Sequence, residues 1–397
     1  MNSKQRQHLA RILTIGIILC SARLFPQSST DSAALDLEQQ GKPAEAEQAW
    51  KASSRLRPND PVPLAHIGLL EARQEHYAQS LPYYRKALAL APSMPGLRLN
   101  LGLALFKDGQ YREAMQIFKP LLKAQPASSP EAQRLTILLG MSYYGLGDYP
   151  PSIPYLKQAS ELDANNLPLL LTLAHSCLHA NQYQCVLDAY HRMVALNANS
   201  AEAHILVGEA LDEMKDTAGA IREFREALRI NSTEPNAHFG LGYLLWTEGH
   251  TQEAAQEFQA ELSNEPAHTQ AMLYLADAEI QQNNFKDARL LLEHVVKDNP
   301  ANAMGHLDLG IVDAEAGQNA DAVSEFKRAI LLKPADSKAH YRLARLLRSM
   351  GKTAEANAEF AKTKKLNETA DEGLLKVMSR VPDPSPAQAA GTTTSPQ

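Results

Sequence analysis

The chain has 397 residues and a formal net charge of −6, from 39 basic and 45 acidic side chains. Ala (59) and Leu (56) dominate while Val and Ile together supply 24. This composition argues against a β-sandwich or barrel, and the acidic balance against a general nucleic-acid binder. Three cysteines exclude a disulfide-dense scaffold.

At the N-terminus, Lys4, Arg6 and Arg11 precede an apolar run over 12–20, then Ser21 and Ala22. This is the charged, apolar and small-residue order of an export signal over 1–22, with cleavage after Ala22 or as late as 26. The expected destination is periplasmic or secreted. The run is shorter than the roughly 20 apolar residues of a membrane span. An uncleaved anchor in the inner membrane is the alternative, and the one route to membrane association. Removing 1–22 takes away three basic and no acidic side chains, leaving 36 against 45, or −9.

From residue 27 onward the sequence repeats itself. Ten segments align: 27–60, 61–94, 95–128, 133–166, 167–200, 201–234, 235–268, 269–302, 303–336 and 337–370. The eighth residue is always Ala or Gly, from Ala34 and Gly68 to Gly310 and Ala344. The twenty-fourth is always bulky, as in Trp50, Tyr84, Phe118, Phe258 and Phe326. The fifteenth is Gly in six repeats, and Asn at Asn181 and Asn283. Apolar residues recur at three- and four-residue steps in each half, the helical period. Small residues let two helices approach closely, and the bulky residue is expected to fill the space between adjacent helix pairs. Gly or Asn at the fifteenth place ends the first helix in the left-handed conformation.

The pattern resembles the tetratricopeptide repeat, most fully in 303–336, with Leu309, Gly310, Ala322, Phe326, Ala329 and Pro334, and in 235–268. The resemblance covers 27–370. It implies an all-α fold, a right-handed superhelical α-solenoid of about ten helix pairs whose first helices line a concave groove. One pair cannot bury its own apolar face, so stability comes from stacking on neighbours.

Two features interrupt the period. Pro120 falls inside a second helix and is expected to kink or shorten it. Four extra residues then follow, where Ser129 and Pro130 read as an N-cap and first turn, lengthening the next helix by about one turn. Pro150 and Pro151 start the helix after that. Residues 371–380 read as a short capping helix with Leu374, Leu375 and Met378 facing in, and 381–397 as a disordered Pro/Thr/Ala-rich tail.

Catalytic signatures are not found: there is no phosphate loop, no H-E-x-x-H helix and no G-x-S-x-G elbow. Neither an enzyme nor a cofactor is expected. His175 and His179 stand at metal-binding spacing, but metal sites usually need three or four ligands. A polar face is the expected reading, and no metal is assigned. His204, His238, His306 and His340 share the fourth place of their repeats, which reads as packing. Cys177 and Cys185 lie in one hairpin; they read as a disulfide if the chain is exported, or as free thiols.

By the resemblance, function sits on the concave groove. Register places there the second, fifth, ninth, twelfth and thirteenth residues. The fifth-place residues Ala65, Leu99, Ile137, Leu171, Ile205, Phe239, Leu273, Leu307 and Tyr341 are mostly apolar. The candidate partner-binding residues are Phe106, Tyr144, His175, His179, Glu209, Asp212, Phe239, Tyr243, Trp246, Asp277, Lys338, Arg342 and Arg345. Trp50 is expected to be structural. Residues 201–302 carry 18 acidic and 7 basic side chains, whereas 337–370 carry 8 basic and 3 acidic. Lys338 and Arg342 resemble part of a clamp for a C-terminal carboxylate, but Leu273, Asp277 and Asp308 break the rest. The expected function is a non-catalytic protein–protein interaction scaffold, exported to the cell envelope and binding proteins or peptides in the groove. The alternative is an accessory or assembly subunit of an envelope enzyme or of export or polysaccharide machinery.

Overall fold

A computed structural model describes residues 29–378. The export signal over 1–22 and the tail over 381–397 lie outside the described residues. Among those described there are twenty helices and no strand. The chain divides into two compact units, 1–232 and 233–397.

In the first unit the first helices of successive pairs are α1 (Ser29–Gln39), α3 (Pro61–Arg73), α5 (Leu97–Lys107), α7 (Pro130–Gly145), α9 (Leu167–His179) and α11 (Ala201–Glu213). Their second helices are α2 (Pro43–Leu56), α4 (Tyr77–Leu90), α6 (Tyr111–Lys123), α8 (Tyr149–Leu162), α10 (Tyr183–Leu196) and α12 (Thr217–Ile230). The second unit has first helices α13 (Ala237–Thr247), α15 (Thr269–Gln281), α17 (Ala303–Glu315) and α19 (Ser337–Ser349). Its second helices are α14 (Thr251–Asn264), α16 (Phe285–Asp298), α18 (Asn319–Leu332) and α20 (Thr353–Met378).

Every pair turns at the fifteenth residue. Gly41, Gly109, Gly147, Gly249, Gly317, Gly351, Asn181 and Asn283 all have positive φ there, and so do Glu75 and Lys215, which the sequence did not mark. The next N–H reaches back five residues, as from Asp148 to the Tyr143 carbonyl (3.0 Å) and from Gln318 to that of Asp313 (2.8 Å). This closure satisfies carbonyls that the helix end leaves open.

First helices start on a side-chain cap. Asp60, Ser129, Asn166, Ser200, Asn302 and Asp336 each accept a backbone N–H of the first turn, and His268 does so through its ring nitrogen. Two repeats have Met94 and Glu234 at that place. Their helices α5 and α13 start two residues later than the others, after left-handed Gly96 and Asn236. For α13 a substitute comes from its own pair: Glu261 on α14 is buried and accepts from the N–H groups of Asn236 and Phe239, both at 3.1 Å.

The eighth-place glycine meets the bulky twenty-fourth residue of its own repeat. A Cβ on Gly102 would stand 2.6 Å from the Phe118 ring, and one on Gly310 2.7 Å from Phe326. This corrects the expectation that the bulky residue fills the gap between adjacent pairs. It closes its own pair, and in the glycine repeats the missing Cβ leaves room for the bulky side chain. Burying such a side chain contributes roughly 1.5–3 kcal/mol. Trp50 also reaches the next pair. Fully buried, it donates to Glu38 at 2.6 Å and stacks on His66 at 4.3 Å, the structural role expected of it.

Within each unit, consecutive helices pack along the chain. Beyond these, first helices approach first helices: α3 to α5, α7 to α9 and α9 to α11; then α13 to α15, α15 to α17 and α17 to α19. First helices therefore form the inner layer of each unit and second helices the outer layer.

The irregular region is as expected in part. Helix α6 runs through Pro120 and ends one residue short of the fourteen usual for second helices. Helix α7 is sixteen residues long, three more than α9, and Ser129 Oγ accepts from the Ala132 N–H at 3.1 Å. Pro150 and Pro151 lie in the first turn of α8. A cavity of about 730 Å³ opens here, lined by Met94, Leu99, Leu121 and Leu135 with Arg98 and Glu131. At the other end α20 runs unbroken from Thr353 to Met378, so the segment after 370 continues the last helix instead of forming a separate one. Glu368 stands where six repeats have Pro, so nothing there removes a helical hydrogen bond.

Candidate functional site

The inner layer carries the candidate partner-binding residues, and each unit presents its own set. In the first unit α9 holds His175 and His179 with ring centroids 6.4 Å apart. His175 Nε2 lies 3.2 Å from Glu202 on α11, and His179 stacks on Tyr149 at 4.5 Å. Burial, and then the neighbouring His175, hold His179 below the ordinary histidine value. Glu209 is open to solvent yet surrounded by protein. That desolvation pushes its carboxyl above the usual range, while His175 pulls the other way. Asp212 is raised as well, chiefly by burial.

Phe106 and Tyr144 are corrections to the expected groove. Each is only 4% exposed. The seventeenth-place residues Tyr111 and Tyr149 cover them edge-on, at 5.4 and 5.9 Å. At the same place after Trp246 stands Thr251, too small to cover an indole, and Trp246 stays half-buried. Most fifth-place residues are also buried: Ala65, Leu171, Ile205, Leu273 and Leu307 belong to the core. Leu99, Ile137 and Phe239 are half-buried and Tyr341 exposed, so these four keep surface for a partner.

The second unit gathers the larger aromatic set. Tyr243 and Trp246 on α13 lie 6.4 Å apart at an interplanar angle of 25°. Tyr274 on α15 stands edge-on to both, at 5.4 and 5.2 Å. Behind Tyr274 lie Phe258 at 5.7 Å and Phe239 at 5.9 Å. Asp277, one turn further along α15, takes the Trp246 indole N–H at 2.9 Å and the Gln281 amide at 2.7 Å, both on Oδ2. Tyr274 was missed in the sequence because it occupies the sixth place, which register does not assign to the groove.

Further along, Asp308 on α17 is 1% exposed, and neither carboxylate oxygen has a hydrogen-bond partner. Burial pushes its carboxyl up to about 7; Lys338 and Arg342 act against the rise, while Asp277 and Asp336 add to it. Lys338 is exposed and Arg342 half-buried on α19, and the Arg345 guanidinium lies 5.9 Å from the centre of the Tyr341 ring.

The fourth-place histidines are packing residues with a specific partner. His204, His238, His306 and His340 each place Nδ1 against a glutamate nineteen residues on: Glu223 at 2.7 Å, Glu257 at 2.6 Å, Glu325 at 2.6 Å and Glu359 at 2.5 Å. Sequence carried a signal for this. The twenty-third place is Glu in these four repeats and in no other. Among the described residues, no three His, Cys, Asp or Glu side chains come together as a group that could hold a metal ion. Cys177 and Cys185 are joined as a disulfide across the α9–α10 turn, with Cα atoms 5.8 Å apart.

Tetratricopeptide-repeat models match residues 32–95, 71–136, 134–166, 201–234, 245–307 and 307–370. The chain belongs to the tetratricopeptide-repeat family. It is 26% identical over 133 residues to anaphase-promoting complex subunit 6 of Arabidopsis thaliana, covering 33% of this chain and 24% of that protein. To the BBSome complex member BBS4 of Bos taurus it is 23% identical over 183 residues, 46% of this chain and 34% of that protein. The matches thus span 24% and 34% of those relatives' own length. Among solved structures, that of the APC/C hetero-tetramer Cut9–Hcn1 is similar with a TM-score of 0.48 at 14% identity, covering 86% of this chain and 67% of that one. A tetratricopeptide-repeat chain is a stacked helical scaffold suited to protein–protein interaction. In this one, the inner layer carries the half-buried aromatic and acidic side chains described above.

Proposed function

We propose that the chain is a non-catalytic scaffold, exported to the cell envelope, that holds polypeptide partners against the inner faces of its first helices. The half-buried Tyr243, Trp246 and Tyr274 set beside Asp277 carry this reading. Large aromatics with a polar rim are the side chains that anchor protein interfaces. Within each unit, helix stacking engages every repeat, which supports a binding role over a catalytic one. Both relatives named above are members of multisubunit complexes, which supports a place for this chain as a subunit of an assembly.

Export is supported by the basic and apolar order of residues 4–22 and by the Cys177–Cys185 disulfide, a bond that persists in oxidising compartments. N-terminal sequencing of the chain recovered from the envelope fraction is expected to begin at Arg23. A chain found only in the cytoplasm contradicts export. For the binding role, the double variant Tyr243→Ala with Trp246→Ala, checked for helix content by circular dichroism, is expected to lose most cross-linked partner. Unchanged cross-linking to every envelope partner contradicts it.

A further inference from the structure

We infer that the second unit's inner face contains a subsite for a cationic side chain, a lysine or arginine of the bound polypeptide, formed by Tyr243, Trp246, Tyr274 and Asp277. The inference rests on the binding role proposed above and adds the chemistry of one contact.

Three observations converge on it. The first is the geometry of the rings. Two near-parallel rings and a third edge-on to both make a corner of π faces, and such faces attract an ammonium or guanidinium. Tyr274 is held from behind by Phe239 and the fully buried Phe258, and Trp246 by its bond to Asp277, so the corner is pre-formed.

The second is the state of Asp277. Its two donors, Trp246 and Gln281, both fall on Oδ2. Among the described residues Oδ1 has no hydrogen-bond partner, and the residue is half-buried. The indole N–H is used to aim the carboxylate, which leaves the indole face for another contact. A carboxylate fixed beside aromatic faces, with one oxygen unused, is suited to a cation and poorly suited to an anion.

The third is charge. Residues 230–285 contain eight Asp or Glu and no Lys or Arg, so the sequence around the corner supplies no cation of its own. Among the described residues the cation–π contacts lie elsewhere: Lys119 on Tyr143, Arg345 on Tyr341 and Arg348 on Phe360. The local field therefore favours a positively charged occupant.

The two tryptophans give a direct readout, since Trp50 is sealed in the first unit and Trp246 stands in the corner. The full chain, with its indoles ¹⁵N-labelled, is titrated with a blocked Gly/Ser decapeptide bearing two lysines, and with its arginine, norleucine and glutamate versions. The lysine and arginine peptides are expected to shift the Trp246 indole signal saturably and leave that of Trp50 in place. Norleucine is expected to weaken binding about ten-fold or more. Asp277→Asn, which keeps an oxygen for the indole N–H, is expected to weaken the lysine peptide about five-fold and to flatten its salt dependence. Equal shifts with norleucine or glutamate would overturn the cation subsite while leaving the face a polypeptide-binding surface. No shift of Trp246 with any peptide would overturn the subsite, and cross-linking from that face then decides the broader role by itself.

Discussion

Glu75 and Lys215 hold the left-handed conformation that Gly and Asn hold in the other eight turns, with φ of 62° and 68°. A side chain with a Cβ loses about 1 kcal/mol or more there relative to glycine. Lys215→Gly is therefore expected to raise the thermal midpoint, and Gly147→Ala to lower it by a similar amount. At Gly147 a new Cβ meets nothing within 4 Å, so the loss isolates the backbone. Equal midpoints for both variants and the parent would contradict this account of the turn. Asp308 carries a pH dependence whose sign follows from its burial. Its carboxyl is raised to about 7 in the folded chain, from an ordinary value near 3.8. Between those values the folded state keeps a proton that the unfolded state has released, so stability falls as pH rises through that window. At pH 8 the folded chain carries a buried carboxylate without a hydrogen bond. Asp308→Asn is expected to raise the melting temperature at pH 8 and to leave it nearly unchanged at pH 4. Parallel melting curves across that range would contradict the assignment.

At the scale of the helix pair, what was legible in the sequence is what is local. The cap residue Ser129 acts on an N–H group three residues away, and the fifteenth-place glycines act on their own turn, so spacing alone reveals them. Glu261 capping α13 was not legible, because its target lies across the pair, more than twenty residues back. The groove shows the same division. Register alone placed Trp246 and Asp277 near one face. It could not separate the open Trp246 from the covered Phe106 and Tyr144, since that depends on whether Tyr or Thr opens the following helix. The α9–α10 pair has one reinforcement the others lack. Its disulfide closes a loop of sequence separation 8, for which chain entropy gives roughly 2–3 kcal/mol. Alkylation of the purified, unreduced chain is expected to leave Cys177 and Cys185 unmodified, with two added labels after reduction and a lower melting temperature. Labelling of both before reduction would contradict the bond.

For the whole molecule, stacking accounts for the composition. Alanine and glycine let helices approach, leucine fills the layers, and the bulky twenty-fourth residues lock each pair. The inner layers also hold Glu209 and Asp212 with His175 in the first unit, and the aromatic corner with Asp277 in the second. The central claim is that partners lie against those inner faces. Site-specific photo-cross-linking in the native cell tests it most directly. One benzophenone side chain is placed at Tyr243, on the inner layer, and in a separate chain at Leu290, which is 61% exposed on the outer helix α16. Adducts with a discrete protein partner are expected from position 243 and not from 290. Adducts formed only from 290, or equally from both, would contradict the account.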